Sequence, residues 1–384
     1  MERCTVDHVK DVRVLCERGF TLVELMIAIV ISSVIVAAGY TILTTTHKAT
    51  ISNERAVGTQ QNTRVAMELI ARDVKQAGFG MSNTTVLNPP VGGTAGNCAA
   101  GGTATAIRPV DNNSAIPLTA VNDTGADTIS FVVPRTNPSW FLNSAAPTGS
   151  VSLTITLSAA AVAEMVTEGM QNGSGAYISL GGVFTAPVTI SSGSTITLGN
   201  PIMAPMNFSG SPAGGTQVYL LQCVTYQVQT GTANCGSAGP CLTRTMDSGT
   251  APTVTTSLVD GVEDLQFGYG CDGCNATINA GVPNGVIDDF NGNNTFDVAD
   301  FQTNRVWAAG TFNPATIRLV QINIVARQTA IDQGTGEGIQ SGALSVPLQV
   351  SDHLPSNDAG YVAATYQSFR RRFLTRTVDT RNIH

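Results

Sequence analysis

Apolar and polar positions alternate in three different ways along the chain. From Phe20 to Ile42 the run is apolar on every side, and Glu24 is its only charge. At about 1.5 Å per residue this run spans roughly 34 Å as a helix, enough to cross a hydrocarbon core of about 30 Å. From Leu43 to Ala77 the pattern becomes one-sided. Met67, Ile70, Val74 and Ala77 recur at helical spacing, with Ala66 and Leu69 beside them, and Gly78 is a natural stop. The polar side offers Arg64–Glu68 and Glu68–Arg72 as i,i+4 ion pairs. The spacing predicts one long helix, a transmembrane half at 20–42 and an amphipathic half at 43–80 that packs on a head.

After Gly80 the period drops to two. Short alternating runs are predicted strands: 128–133, 151–157, 176–180, 188–190, 195–198, 218–229, 262–267, 317–327 and 373–378. A short helix is expected at 159–166. Residues 81–127, rich in Gly, Asn, Thr and Ala, read as loop. The fold class is therefore α+β: a long N-terminal helix against a mostly antiparallel β head at 81–384.

Composition narrows the class. With 12% charged residues and a net charge of -7, the chain has neither a disordered nor a nucleic-acid-binding composition. Residues 1–19 balance Arg3, Lys10, Arg13 and Arg18 against Glu2, Asp7, Asp11 and Glu17, so the acidity lies beyond them. Past that leader stand six cysteines: Cys98, Cys223, Cys235, Cys241, Cys271 and Cys274. Six in an exported domain allow three disulfides in fifteen connectivities. Cys235–Cys241 and Cys271–Cys274 are near enough in sequence to close small loops. A zinc site at Cys271-Asp-Gly-Cys274 is the rival, weakened because no second pair stands at finger spacing.

One polar stretch carries metal-binding spacing. Asp289, Asn291, Asn293, Thr295, Asp297 and Asp300 occupy positions 1, 3, 5, 7, 9 and 12 of an EF-hand-type loop, with Thr295 serving through its carbonyl. Asp at position 12 resembles the dockerin form. Position 6 is Asn294 in place of glycine, and asparagine tolerates the left-handed turn needed there. Calcium is the expected cofactor, and an ordinary polar turn is the alternative. No catalytic constellation emerges from the remaining residues, and His353 beside Asp352 reads as a loop pair.

Glu24 decides how the N-terminal run is used. A lone carboxylate inside an apolar helix is costly in lipid and calls for a partner. Neither secretory cleavage near Val36-Ala37-Ala38 nor a plain signal anchor accounts for it. Arg18-Gly19-Phe20-Thr21-Leu22-Val23-Glu24 resembles the processing site of type IV pilins and type II secretion pseudopilins. The resemblance implies cleavage between Gly19 and Phe20 by a prepilin peptidase, N-methylation of Phe20, and retention of the helix as anchor and filament core. Glu24 would then meet the N-terminal amine of a neighbouring subunit. Residues 71–78, 258–269, 317–327 and 370–378 look like the head of minor pilins of the PilW type. That implies a low-abundance, non-enzymatic subunit that primes pilus assembly, within a complex at the filament tip. Its partners would be other major and minor pilins. It would sit in the inner membrane by a single pass, head in the periplasm, and then in the pilus. A secretion pseudopilin, or a tip adhesin acting through residues 81–255, are the alternatives.

Overall fold

A computed structural model of the chain describes residues 20–81, 98–100, 103–110, 124–135, 140–148, 154–156, 158–161, 163, 177–190, 195–210, 214–235, 239–247, 254–274, 278, 281–303, 305, 307, 312–331 and 347–382. These fall into two compact units, one ending at Glu54 and the other beginning at Arg55. The leader, Gly19 included, lies outside the described residues.

Helix α1 runs Leu22–Gln76 and crosses Gly58 without a break. In the first unit its apolar side chains are exposed on all sides, and the segment is long and apolar enough to cross a membrane. In the second unit the expected stripe is buried: Ala66, Met67, Ile70, Ala71 and Val74. Burying a side chain such as Ile70 stabilises the contact by about 1.5–3 kcal/mol. The helix ends as its sequence requires. Gly78 takes φ +76, a left-handed conformation open to glycine, and its N–H bonds the Val132 carbonyl at 3.0 Å.

The strands form three antiparallel sheets. A two-stranded ribbon joins β1 (Ala99–Ala100) and β2 (Thr103–Ala104). The largest sheet contains β3 (Ile107–Val110), β4 (Thr128–Arg135), β5 (Thr154–Thr156), β6 (Tyr177–Leu180), β7 (Phe184–Ile190), β8 (Thr195–Leu198), β9 (Val218–Thr230), β10 (Pro240–Asp247) and β11 (Val254–Asp260). Its spine is β9, paired with β4 along Leu220–Tyr226, with β6 at Val218–Leu221 and with β10 at Cys223–Thr230. The third sheet orders β12 (Val262–Cys271), β13 (Ile317–Arg327) and β14 (Arg371–Asp379). A short helix, α2, spans Ala363–Gln367.

Two larger cores and a small third one, of Cys98, Val132, Tyr177, Leu221 and Cys223, follow from this arrangement among the described residues. The α1 stripe joins Phe131, Tyr226, Leu265, Phe267 and Ile322 in one, and Trp140, Leu142, Ile178, Leu180 and Leu220 centre the other.

The α+β expectation holds, with local corrections. The stretch expected as loop, 81–127, contains β1, β2 and β3 among its described residues. Strand β10 and the start of β11, before the 258–269 segment, have no alternation that predicts them. Their threonine-rich sequences give little apolar alternation, and pairing with β9 supplies what pattern does not. Glu68 pairs across to Arg376 on β14 at 2.5 Å, while Arg72 lies against Asp73 at 3.5 Å. The expected i,i+4 ladder is thereby replaced by a tertiary contact. Residues 151–153 and 157, and the end of the expected helix from 164 on, lie outside the described residues.

Candidate functional site

The anchor begins with a reciprocal cap. Thr21 N and Oγ1 donate to Glu24 Oε2 at 3.0 and 3.1 Å, and Glu24 N donates to Thr21 Oγ1 at 3.2 Å. This is a capping box, which satisfies amides that a helix start otherwise leaves bare. Both bonds fall on one oxygen of Glu24, Oε2. Phe20 is 86% exposed.

The acidic loop has the turn its spacing demands. Asn294 stands at φ +63 and Gly292 at φ +73. Asp289 accepts from Gly292 N at 2.7 Å and from Asn294 N at 2.6 Å. Asn291 and Asn293 accept from Asn293 N and Thr295 N, and their amides donate to the two Asp297 oxygens at 3.2 and 2.8 Å. The Ala299 N–H, with Asn293 beside it, holds the Asp297 carboxyl below the usual carboxylate range. Asp300 is fully buried and turned into the loop backbone, accepting from Phe290, Asn291 and Asp297 N–H groups. Backbone amides thus neutralise the carboxylates one by one. Among the described residues, the three loop carboxylates are not gathered within the 4.8 Å that joins Cys271, Cys274 and Asp288.

Aromatic side chains dock this loop on the β12 sheet. Phe290 stacks on Phe312 at 6.2 Å, and Phe296 meets Phe301 edge-on at 5.0 Å. Beneath that pair lie Gly268 and Gly270 of β12. A Cβ there would come within 3.1 Å of the Phe301 and Phe296 side chains, so the two glycines form the notch that receives them.

The six cysteines pair as Cys98–Cys223, Cys235–Cys241 and Cys271–Cys274. The last pair takes the disulfide reading of that motif, in which the sulfurs are bonded to each other and are not the thiolates that zinc takes. Asp288 ties this turn to the acidic loop next to it. Its N–H bonds the Cys271 carbonyl, and its carboxylate accepts from Gly273 and Cys274 N–H groups at 3.0 and 3.2 Å.

Two ionic clusters escaped the sequence. Asp73, on the buried face of α1, accepts from Tyr226 Oη at 2.6 Å and from Arg244 Nε at 3.1 Å. Burial and the Asp73 charge push the Tyr226 phenol up. His353 pairs with Asp264 at 2.8 Å and Asp358 at 2.9 Å, not with Asp352 as a loop pair. Burial opposes its charge, but the two carboxylates outweigh that and push the imidazole up to about 10. Both ring nitrogens of His353 thus lie within hydrogen-bond distance of a carboxylate oxygen.

Comparison with known families yields two matches. Residues 225–382 match the family described as type IV pilus-assembly protein W. Residues 15–40 match the prokaryotic N-terminal methylation motif. No curated protein and no solved structure matches the chain.

Proposed function

From the premise that the chain is a PilW-type pilin, we propose that it is a minor subunit that takes part in priming a type IV pilus from the filament tip. The observation that carries this reading is the joining, in one chain, of the methylation motif at 15–40 to the W-type head at 225–382. On this reading a prepilin peptidase cuts between Gly19 and Phe20 and Phe20 becomes the methylated N-terminus. The chain waits in the inner membrane with its head in the periplasm until it enters the filament with other pilins. The cap at Thr21 survives cleavage, and the second Glu24 oxygen then receives the amine of a neighbouring subunit, a pairing that lipid rewards.

Substitution separates capping from pairing. Glu24→Gln keeps a capping side chain but loses the charge. It should insert and be cleaved like wild type yet reach sheared filaments poorly, as should Glu24→Ala. Normal incorporation of both variants would remove the pairing.

Calcium belongs to the same proposal as a fastener for the head. What supports it is the left-handed Asn294 at loop position 6, together with Asp289, Asn291, Asn293, Thr295 and Asp297 around one turn and Asp300 closing it. The ion would draw the carboxylates off their amides toward a common centre. A dissociation constant of about 10⁻⁴–10⁻³ M suffices outside the cytoplasm. Millimolar calcium should raise the melting temperature of the full chain, and Asp289→Ala should cancel that rise. An unchanged melting temperature with no calorimetric heat would make this loop an ordinary polar turn.

A further inference from the structure

A cavity of about 260 Å³ opens in the second unit, where Glu263 and Asp264 of β12 face the segment from His353 to Tyr366. Its charges are unevenly exposed. The Arg371 and His353 side chains are 1% and 3% exposed, whereas Glu263 and Asp358 are 25% and 35% exposed. Arg371 is held behind the wall by two bonds to the Glu263 carboxylate, at 2.6 and 2.9 Å, and by the Tyr366 ring beneath its guanidinium. A third lining cation, Arg327, lies against the same Glu263 carboxylate at 3.6 Å, so each lining cation faces a carboxylate, and Asp358, bonded to His353 through Oδ1, is the most exposed acid of these pairs. Beside them stands Tyr361, its ring tilted against Tyr366 at 5.8 Å.

A half-exposed carboxylate next to an aromatic face is the pairing that a cation recognises. An anion would meet only cations already neutralised. A neutral apolar guest would strip water from Asp358 and return no hydrogen bond. The volume is below the roughly 300–1,000 Å³ of small-molecule pockets, and it suits a single long side chain.

We propose that this cavity receives one basic side chain, lysine or arginine, presented by a neighbouring polypeptide. The charge sits at Asp358 and the aliphatic stem lies along Tyr361. The inference goes beyond the assembly role and does not depend on how Gly19 or Glu24 is used.

The test uses the full chain in detergent micelles, labelled with fluorotyrosine and titrated with acetyl-Gly-Lys-Gly-amide. Saturable shifts of the Tyr361 and Tyr366 signals are expected, with the norleucine counterpart binding at least about tenfold more weakly. Asp358→Asn, which still accepts from His353, should weaken the lysine peptide by about tenfold while the chain stays folded. Should that variant melt early, Tyr361→Leu, on the rim, reports the same loss through Tyr366. Equal binding of the norleucine peptide, stronger binding of methyl glucoside, or no saturable shift at all would each overturn the proposal.

Discussion

His353 shows how much a single side chain can hold together. It bridges Asp264 on β12 to Asp358, so the segment around it is fastened to the sheet by one imidazolium. Its folded value of about 10 lies above the ordinary 6.5. A raised histidine contributes stability that is complete below about pH 6.5 and is lost as pH rises toward 10. Urea unfolding of the full chain should therefore show a loss on the order of 3 kcal/mol between pH 6 and pH 10. His353→Gln should flatten that dependence, and an equally steep loss in the variant would assign it to other groups. Asp73 is the counterpart on the helix, a buried carboxylate made tolerable by Tyr226 and Arg244. Neither residue was legible in the sequence. Asp264 is 89 positions from His353, and Tyr226 and Arg244 are 153 and 171 positions from Asp73, so no local pattern links them. Asn294 was legible, because its left-handed turn follows from loop spacing alone.

Among elements, legibility follows the range of the forces involved. Helix α1 could be read from its stripe and its Gly78 stop because every determinant lies within a turn or two. Strand β10 could not, since its place depends on β9, from which it takes the register Pro240 to Thr230 through Asp247 to Cys223. The disulfides stand between these cases. Two short pairings were foreseeable as small loops, and Cys98–Cys223, which closes a separation of 125 residues, is the pair that then remains. In the chain-entropy account that bridge restricts the unfolded chain most, by about 5 kcal/mol against about 2 for Cys235–Cys241. Replacing Cys98 and Cys223 together by serine should lower unfolding free energy well below that of the Cys235, Cys241 double variant. Equal losses in the two variants would place the stabilisation in native packing.

At the scale of the whole molecule, the two ends of the chain carry different kinds of information. Residues 15–40 carry a short local motif, the N-terminal methylation pattern, read equally well by eye and by family comparison. The match at 225–382 covers β10 to β14 together with the acidic loop, the Cys271–Cys274 turn and the His353 cluster. Between them lies the second core around Trp140 and Leu220, which the W-type match does not reach. The central claim, that the chain is a processed subunit built into a filament, is tested most directly by mass spectrometry of sheared, purified pili. The account predicts a terminal peptide that begins with N-methylated Phe20 and includes Glu24. A chain that begins near Gly39, or one found only in membranes and never in filaments, would contradict it.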